Sequence, residues 1–242
     1  KMKLQKISLG FTALALSLNV FAADLTRVEI EQKLKNADKT HVVDLRRKDF
    51  RTLDLSKLDF RNADLWGTDL RDANLNDSDL SNLNLDLTVM TRIHFARANL
   101  SNTSIFGVSM MDADLSGANL SGSRFIANLD RANLKGANLT DANWGVDMKN
   151  QPMGLMRVSL NGVNLSNANL TGANLNRALM KRVDLSGANL TNVDLTMADL
   201  SGARLENTHF KGANLSGTKF GFVKDKTIFN GALNLNAAIF EE

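Results

Sequence analysis

The 242-residue chain contains no cysteine, no tyrosine, one proline and three histidines. Without cysteine there is no disulfide framework, no thiolate-held zinc or iron–sulfur centre, no thiol nucleophile and no lipid-anchoring cysteine. His41, His94 and His209 are far apart in the sequence, which leaves little for imidazole-based metal or acid–base chemistry. No G-x-S-x-G elbow, phosphate-binding Walker loop or H-E-x-x-H motif occurs. Nothing here calls for a cofactor, and no catalytic set can be assembled.

Charge of one sign is missing as well, once its location is considered. The whole chain is +3, but residues 1–22 carry Lys1, Lys3 and Lys6 and no acid, so the remainder is formally neutral. The computed pI near 9.2 therefore argues nothing about nucleic acid, and a neutral surface speaks against it. The basic start, the uncharged stretch Ile7–Ala22 and the small-residue positions Val20 and Ala22 predict a secretory signal peptide cleaved after Ala22. If retained, residues 1–22 would instead anchor the protein in the inner membrane, although sixteen uncharged residues fall short of the ~20 that a spanning helix needs. Either way the expected address is the periplasm.

What the chain does contain is a five-residue period. In steps of five, an apolar residue recurs from Leu45 through Phe50, Leu55 and Phe60 to Phe125. One residue is then dropped, and Leu129, Leu134, Leu139 and Trp144 continue. A loop, Gly145–Gly154, holds the only proline, and the original phase resumes from Leu155 to Phe220. All 35 positions are apolar and 24 are leucine. Two residues before each is a small or apolar residue such as Ala63, Ala73, Ala118 or Ala188, with Lys48 the only charge. Five residues of α-helix turn through about 500°, so successive leucines would share no face. A straight strand fails too, since an odd step flips the side chain. The Ala-x-Leu triplet alternates in–out–in like a strand, so the chain must turn a corner in the other two residues. Corners such as Ser116-Gly117, Ser121-Gly122 and Thr171-Gly172 have turn chemistry. The expectation is an all-β solenoid, with leucine and alanine inside and polar groups outside.

Runs such as Ala118-Asn119-Leu120-Ser121-Gly122 and Ala188-Asn189-Leu190-Thr191-Asn192 resemble the A-(D/N)-L-x-x signature of pentapeptide-repeat proteins. The resemblance implies a right-handed quadrilateral β-helix with twenty residues per coil. The cornered-coil argument alone does not choose four faces over three. With the dropped residue and an extra loop residue taken to cancel, 36 positions make about nine coils, a rod of roughly 43 Å at about 4.8 Å per coil.

An open solenoid needs its ends covered. Thr26 and Glu29 have capping-box spacing, and Leu25 can staple onto Ile30. This predicts a short N-terminal capping helix within 23–41, ending near Ala37, with Val28 and Leu34 facing the first coil. The repeat then spans 42–220 with its loop at 145–154. Residues 221–242 read as a C-terminal cap or, alternatively, the seam of a homodimer.

The outward positions hold the functional candidates. Aspartates 44, 49, 54, 59, 64 and 69 face outward in ladders with Arg46, Arg51, Arg61 and Arg71 interleaved, which predicts a mutually neutralised surface rather than a cation site. Trp66, Phe106 and Ile126 break the polar pattern at spacings of 40 and 20, which places them on one face, and Leu87 lies one corner position along. An apolar patch on a polar rod points to docking of a protein partner, and local corner packing, shared with Val146, is the competing account. The leading reading is a non-catalytic exported scaffold, either free or as an accessory subunit of a membrane complex. The resemblance brings a second reading, a DNA-mimic type gyrase-binding protein, which needs a dense negative surface that this chain lacks. A third reading, an enzyme using the 145–154 loop, has no acid–base pair to support it.

Overall fold

The computed structural model describes residues 23–146 and 156–241. The expected signal segment and most of the 145–154 loop, with Leu155, lie outside the described residues. Among the described residues, no helix is long and apolar enough to cross a membrane.

The inward column is as the five-residue period requires. Every described position of that column, from Leu45 to Phe220, is buried. The small-residue column beside it is buried from Ala63 onward apart from Ala203, and begins with four half-buried residues, Val43, Lys48, Leu53 and Leu58. Where that second column holds a hydroxyl, the group is satisfied internally, as a buried polar group must be. Thr68 Oγ1 donates to the Leu65 carbonyl at 2.7 Å, and Thr103 Oγ1 to that of Leu100 at 2.7 Å.

Each leucine is followed by a tight turn. The Thr68 amide donates to the Leu65 carbonyl across Trp66-Gly67, and Gly67 has φ +68°. A positive φ at the third residue is the signature of a type II turn. Many corners place a residue other than glycine there, including Thr52, Leu87 and Met197, each strained in the left-handed region. The aspartate or asparagine before the leucine spans the turn, its side-chain oxygen accepting the amide two residues on. Asn119 does this for Ser121 at 3.2 Å and Asp69 for Arg71 at 3.2 Å. This Asx geometry explains why the repeat wants Asp or Asn before leucine.

The corners close a four-sided coil. Parallel bridges join Asp49 to Asp69, Asp54 to Asn74 and Asp59 to Asp79, and Ala63–Asp64 (β2) pairs in parallel with Val43–Asp44 (β1). Four ladders at five-residue offsets, each advancing by twenty, mean four faces per turn. Extended pieces are short, because each face spends only three residues before the next corner. The exceptions are Ser104–Ser109 (β3) and Arg124–Asn128 (β4), paired through Ser104↔Arg124 and Phe106↔Ile126. Their register shifts between Phe106 and Val108. Gly107 has no counterpart in the next coil, and that is where the residue is dropped.

The loop register differs from the sequence expectation. Asn128 pairs with Ser159, and Asn143 with Asn174. The coil that begins at Asn128 is therefore 31 residues long, where the one before has nineteen and the one after twenty, and Leu160 is the next inward position above Leu129. The stack resumes at Val158–Leu160, where Asp130 accepts from Ser159 Oγ at 2.6 Å and from the Asn161 amide at 2.9 Å.

At the N-terminal end, helix α1 (Arg27–Lys35) carries the expected capping box of Thr26 and Glu29. Its inward residue is Ile30, fully buried in the core, with Leu34 partly buried, whereas Val28 is 60 % exposed. The orphan groups of the first coil are met from this segment. The Asp24 amide donates to the Asp49 carbonyl at 3.1 Å, and the Asp49 amide to Asp24 Oδ2 at 2.7 Å. Arg27 donates to the carbonyls of Asp54 and Ser56 at 2.8 and 2.9 Å. At the other end, Asp199–Leu200 (β5), Lys219–Phe220 (β6) and Ile239–Phe240 (β7) form a parallel three-stranded sheet. Phe229 packs between Phe210, Phe220 and Phe240 at 4.8–5.6 Å, while Phe222, Leu233 and Ile239 stay exposed.

Candidate functional site

Three of the four corners are predominantly polar along the rod. The fourth runs through Arg46, Trp66, Asp86, Phe106 and Ile126, and it carries the apolar outliers. Trp66 and Phe106 are half-buried and Leu87 is 56 % exposed. Leu87 is itself a positive-φ residue at 60°, stacked between Gly67 and Gly107, which have no side chains to cover it. Val89, on the face that follows, adds 40 % exposure. Asp86 lies between the levels of Trp66 and Phe106, so the patch is apolar but interrupted by a carboxylate.

Ile126 does not join this surface. It is 4 % exposed, and Val146, one corner position along in the next coil, is 6 % exposed. The dropped residue shortens this corner and draws Ile126 into strand β4, opposite Phe106. The deletion next to Ile126 was the sequence signal that its direction would differ from Trp66.

Below Trp66 the structure adds a residue that pattern reading passed over. Arg47 holds its guanidinium 5.0 Å from the Trp66 ring centroid, in cation–π range. In higher coils an arginine at the equivalent position of other corners reaches the aspartate one coil below, as in Arg92–Asp72 and Arg97–Asp77, both at 2.7 Å. Arg47 is in the first coil, with no such aspartate beneath it, and makes no ion pair among the described residues. Its neighbour Arg46 is spent on Asp44 at 2.9 Å and Asp64 at 3.5 Å. The Arg46 guanidinium and then the Arg46 amide hold the Asp44 carboxyl well below the usual carboxylate range. Around Arg47 and Trp66 lies an open groove of about 620 Å³, floored by Val42, Ala63 and Leu83 and edged by Asn82 and Asn84.

The aspartate ladders are neutralised as expected. Arg51 pairs with Asp49, Arg61 with Asp59 at 2.6 Å and Arg71 with Asp69. Among the described residues no three histidine or acidic side chains come together as a metal site. His94 bridges Asn74 and Asp114 on one face and His209 pairs with Asn189 on the next, far up the rod.

The geometry defines a four-sided parallel β-solenoid with polar ladders and one apolar corner. The chain belongs to the pentapeptide-repeat family, whose model matches eight repeat copies over residues 54–92, 93–126, 127–144, 159–196 and 188–221. Its members form right-handed quadrilateral β-helices, the four-sided register seen here. Among solved structures the chain is similar to HetL, a pentapeptide repeat protein involved in heterocyst differentiation regulation from the cyanobacterium Nostoc. The two are 25 % identical over 90 % of this chain and 94 % of that one, with a TM-score of 0.44. It is also similar to QnrB1, a plasmid-mediated fluoroquinolone resistance protein, at 17 % identity over 81 % and 89 % of the two chains, TM-score 0.48. A pentapeptide repeat protein from the thylakoid lumen of Arabidopsis thaliana is 36 % identical over 47 % of this chain and 68 % of that one, TM-score 0.35. No curated protein matches the chain.

Proposed function

We propose that the protein is a non-catalytic, exported interaction scaffold that docks a partner protein on the corner formed by Trp66, Leu87 and Phe106. The observation that carries this reading is the break in polarity at one corner of an otherwise regular rod. An exposed leucine and two half-buried aromatics are there beside an open groove and an arginine that makes no ion pair among the described residues. Large apolar groups on a polar rod cost solubility unless something covers them. Aromatic and arginine side chains are the groups that dominate interface energetics. The lysine-led segment 1–22 supports export. Helix α1 and the aromatic cluster around Phe229 act as end caps that keep the rod from adding edge to edge. The paired arginines and aspartates speak against mimicry of duplex DNA, which needs unneutralised carboxylates.

The test is site-specific photo-crosslinking in the native cell, with the reactive residue at position 66, 87 or 106 and a control at Ser116 on a polar corner. A distinct heteromeric product from the first three positions and none from Ser116 is the expected outcome. Equal labelling at all four, or none at any, refutes the docking corner. Native mass spectrometry of the same preparation reads the rest. A chain beginning at Ala23 supports cleavage, the full-length mass in the membrane fraction supports the anchored form, and a homodimer would move attention to Phe222, Leu233 and Ile239.

A further inference from the structure

We propose that the Asn230–Gly231 step is a self-modification site, where the chain deamidates and loosens its own C-terminal cap. The chain holds two Asn-Gly steps, Asn161-Gly162 and Asn230-Gly231. This dipeptide is the one most open to intramolecular attack, because glycine has no Cβ to shield its amide nitrogen. The fold treats the two steps differently.

At the first step, both reacting groups are held in the ladder. The Gly162 amide donates to the Lys181 carbonyl at 2.8 Å. Asn161 Oδ1 accepts the Lys181 amide at 3.0 Å, and Asn161 Nδ2 donates to Ser159 Oγ at 2.9 Å and to Asp130 Oδ2 at 3.4 Å. At the second step almost nothing is held. Asn230 is exposed, and its amide donates to the Thr227 carbonyl at 3.0 Å. Among the described residues neither its carboxamide nor the Gly231 N–H has a partner. The peptide between them, at Asn230 ψ 126°, can therefore rotate to bring the Gly231 nitrogen onto the Asn230 Cγ.

The chemistry needs only water. The Gly231 nitrogen bonds to Asn230 Cγ, the Cγ–Nδ2 bond breaks, and Nδ2 leaves as ammonia with the proton released by the Gly231 amide. Water then opens the cyclic imide at either carbonyl, giving aspartate or isoaspartate. Isoaspartate lengthens the main chain by one carbon between two anchors of the cap. On one side Phe229 packs against Phe210 at 4.9 Å and Phe220 at 4.8 Å. On the other the Gly231 carbonyl accepts the Gly212 amide at 2.7 Å. Both cannot keep their positions across a longer link.

The experiment ages the folded protein in warm, mildly alkaline buffer and follows both steps by peptide mapping, reading the mass gain of amide-to-acid conversion and isoaspartate content. Conversion at Asn230 is expected to be at least about tenfold faster than at Asn161, the factor that a modest local opening free energy supplies. The same two steps should converge in urea, where the fold no longer separates them. The thermal midpoint of the wild type should fall with age, while that of Asn230→Gln holds. Equal rates in the folded chain, or a faster Asn161, overturn the assignment, and an aged wild type with an unchanged midpoint overturns the loosening.

Discussion

From Val43 to Val146 the outside of the rod is held largely by charge, and from Val158 to Phe220 it is held largely by amides and hydroxyls. In the first stretch Arg51, Arg61 and Arg71 each pair with the aspartate two residues before them, and Arg92, Arg97 and Arg131 reach down to the coil below. In the second, the ion pairs of Lys181 and Arg204 are long, 3.5 and 3.4 Å. There Thr171, Thr191 and Ser166 add a hydroxyl bond to the same asparagine that takes their amide, at 2.6–2.7 Å. The inward columns do not change between the two stretches. The fold is therefore specified by burial and by the Asx turn, and either kind of outer ladder fits on it. Exposed ion pairs add little to stability, so the charged half differs in how its surface responds to conditions and not in how tightly it is packed.

The largest effect should ignore the difference between the halves. Leu120→Asp and Leu190→Asp each bury a carboxylate in the same column and should each cost about 3–5 kcal/mol, read by chemical denaturation. A variant as stable as the wild type in either half breaks the shared-core account. Corner glycines should separate next. At Gly212, φ is +70° and an added Cβ would come within 2.2 Å of Asn192 Oδ1, whereas at Gly67 the nearest atom, Arg47 Cγ, is 3.4 Å away. Gly212→Ala should cost more than Gly67→Ala, whose penalty is the left-handed backbone alone, about 1–2 kcal/mol. Thermal melts of the two variants decide it.

Acid should then divide the halves in the opposite sense. The guanidiniums of Arg51, Arg61, Arg92, Arg97 and Arg131 hold Asp49, Asp59, Asp72, Asp77 and Asp112 below the ordinary carboxylate value. A folded value below the unfolded one contributes stability above pH ~4 and loses it as the pH falls through the folded value. In the second half, burial is the largest influence on Asp184 and Asp199 and pushes them up, and the Ser186 and Ser201 bonds together with Arg204 and Lys181 bring them below the ordinary value. Segment-resolved hydrogen exchange, corrected for intrinsic rates, should show protection lost first between residues 44 and 131 as pH drops below 4. Simultaneous loss would remove the distinction. The smallest effect is local: Thr52 is a β-branched residue at φ 60°, and Thr52→Gly should raise stability by up to about 1 kcal/mol. Asn192→Gly should do less, because asparagine tolerates that region.

The inward columns could be read from the sequence because a five-residue period admits few geometries, and the capping box at Thr26 and Glu29 marked the helix start. The loop register could not be read. Leu155 and Leu160 share one phase, so periodicity alone does not say which of them re-enters the stack, and the Asn128–Ser159 pairing does. The helix face is not legible either: with so few apolar residues in α1, Val28 and Ile30 compete for the inside, and the open end of the first coil takes Ile30. Trp66, Leu87 and Phe106 were found as breaks in polarity. Arg47 is not one of these, since an arginine at a corner looks ordinary unless it is known that, among the described residues, no aspartate of a lower coil lies within its reach.

The two tryptophans are placed so that they report on different events. Trp144 is fully buried, stacked 4.8 Å from Phe125 with 5° between the rings, and its indole N–H donates to Ser123 Oγ at 3.0 Å. Its emission should be blue and shielded from aqueous quenchers until the stack near the loop opens. Trp66 is half-buried against a cation, so its emission should be redder and readily quenched. One fluorescence spectrum, resolved with Trp66→Phe and Trp144→Phe, can therefore follow occupancy of the corner and integrity of the rod at once, without a label.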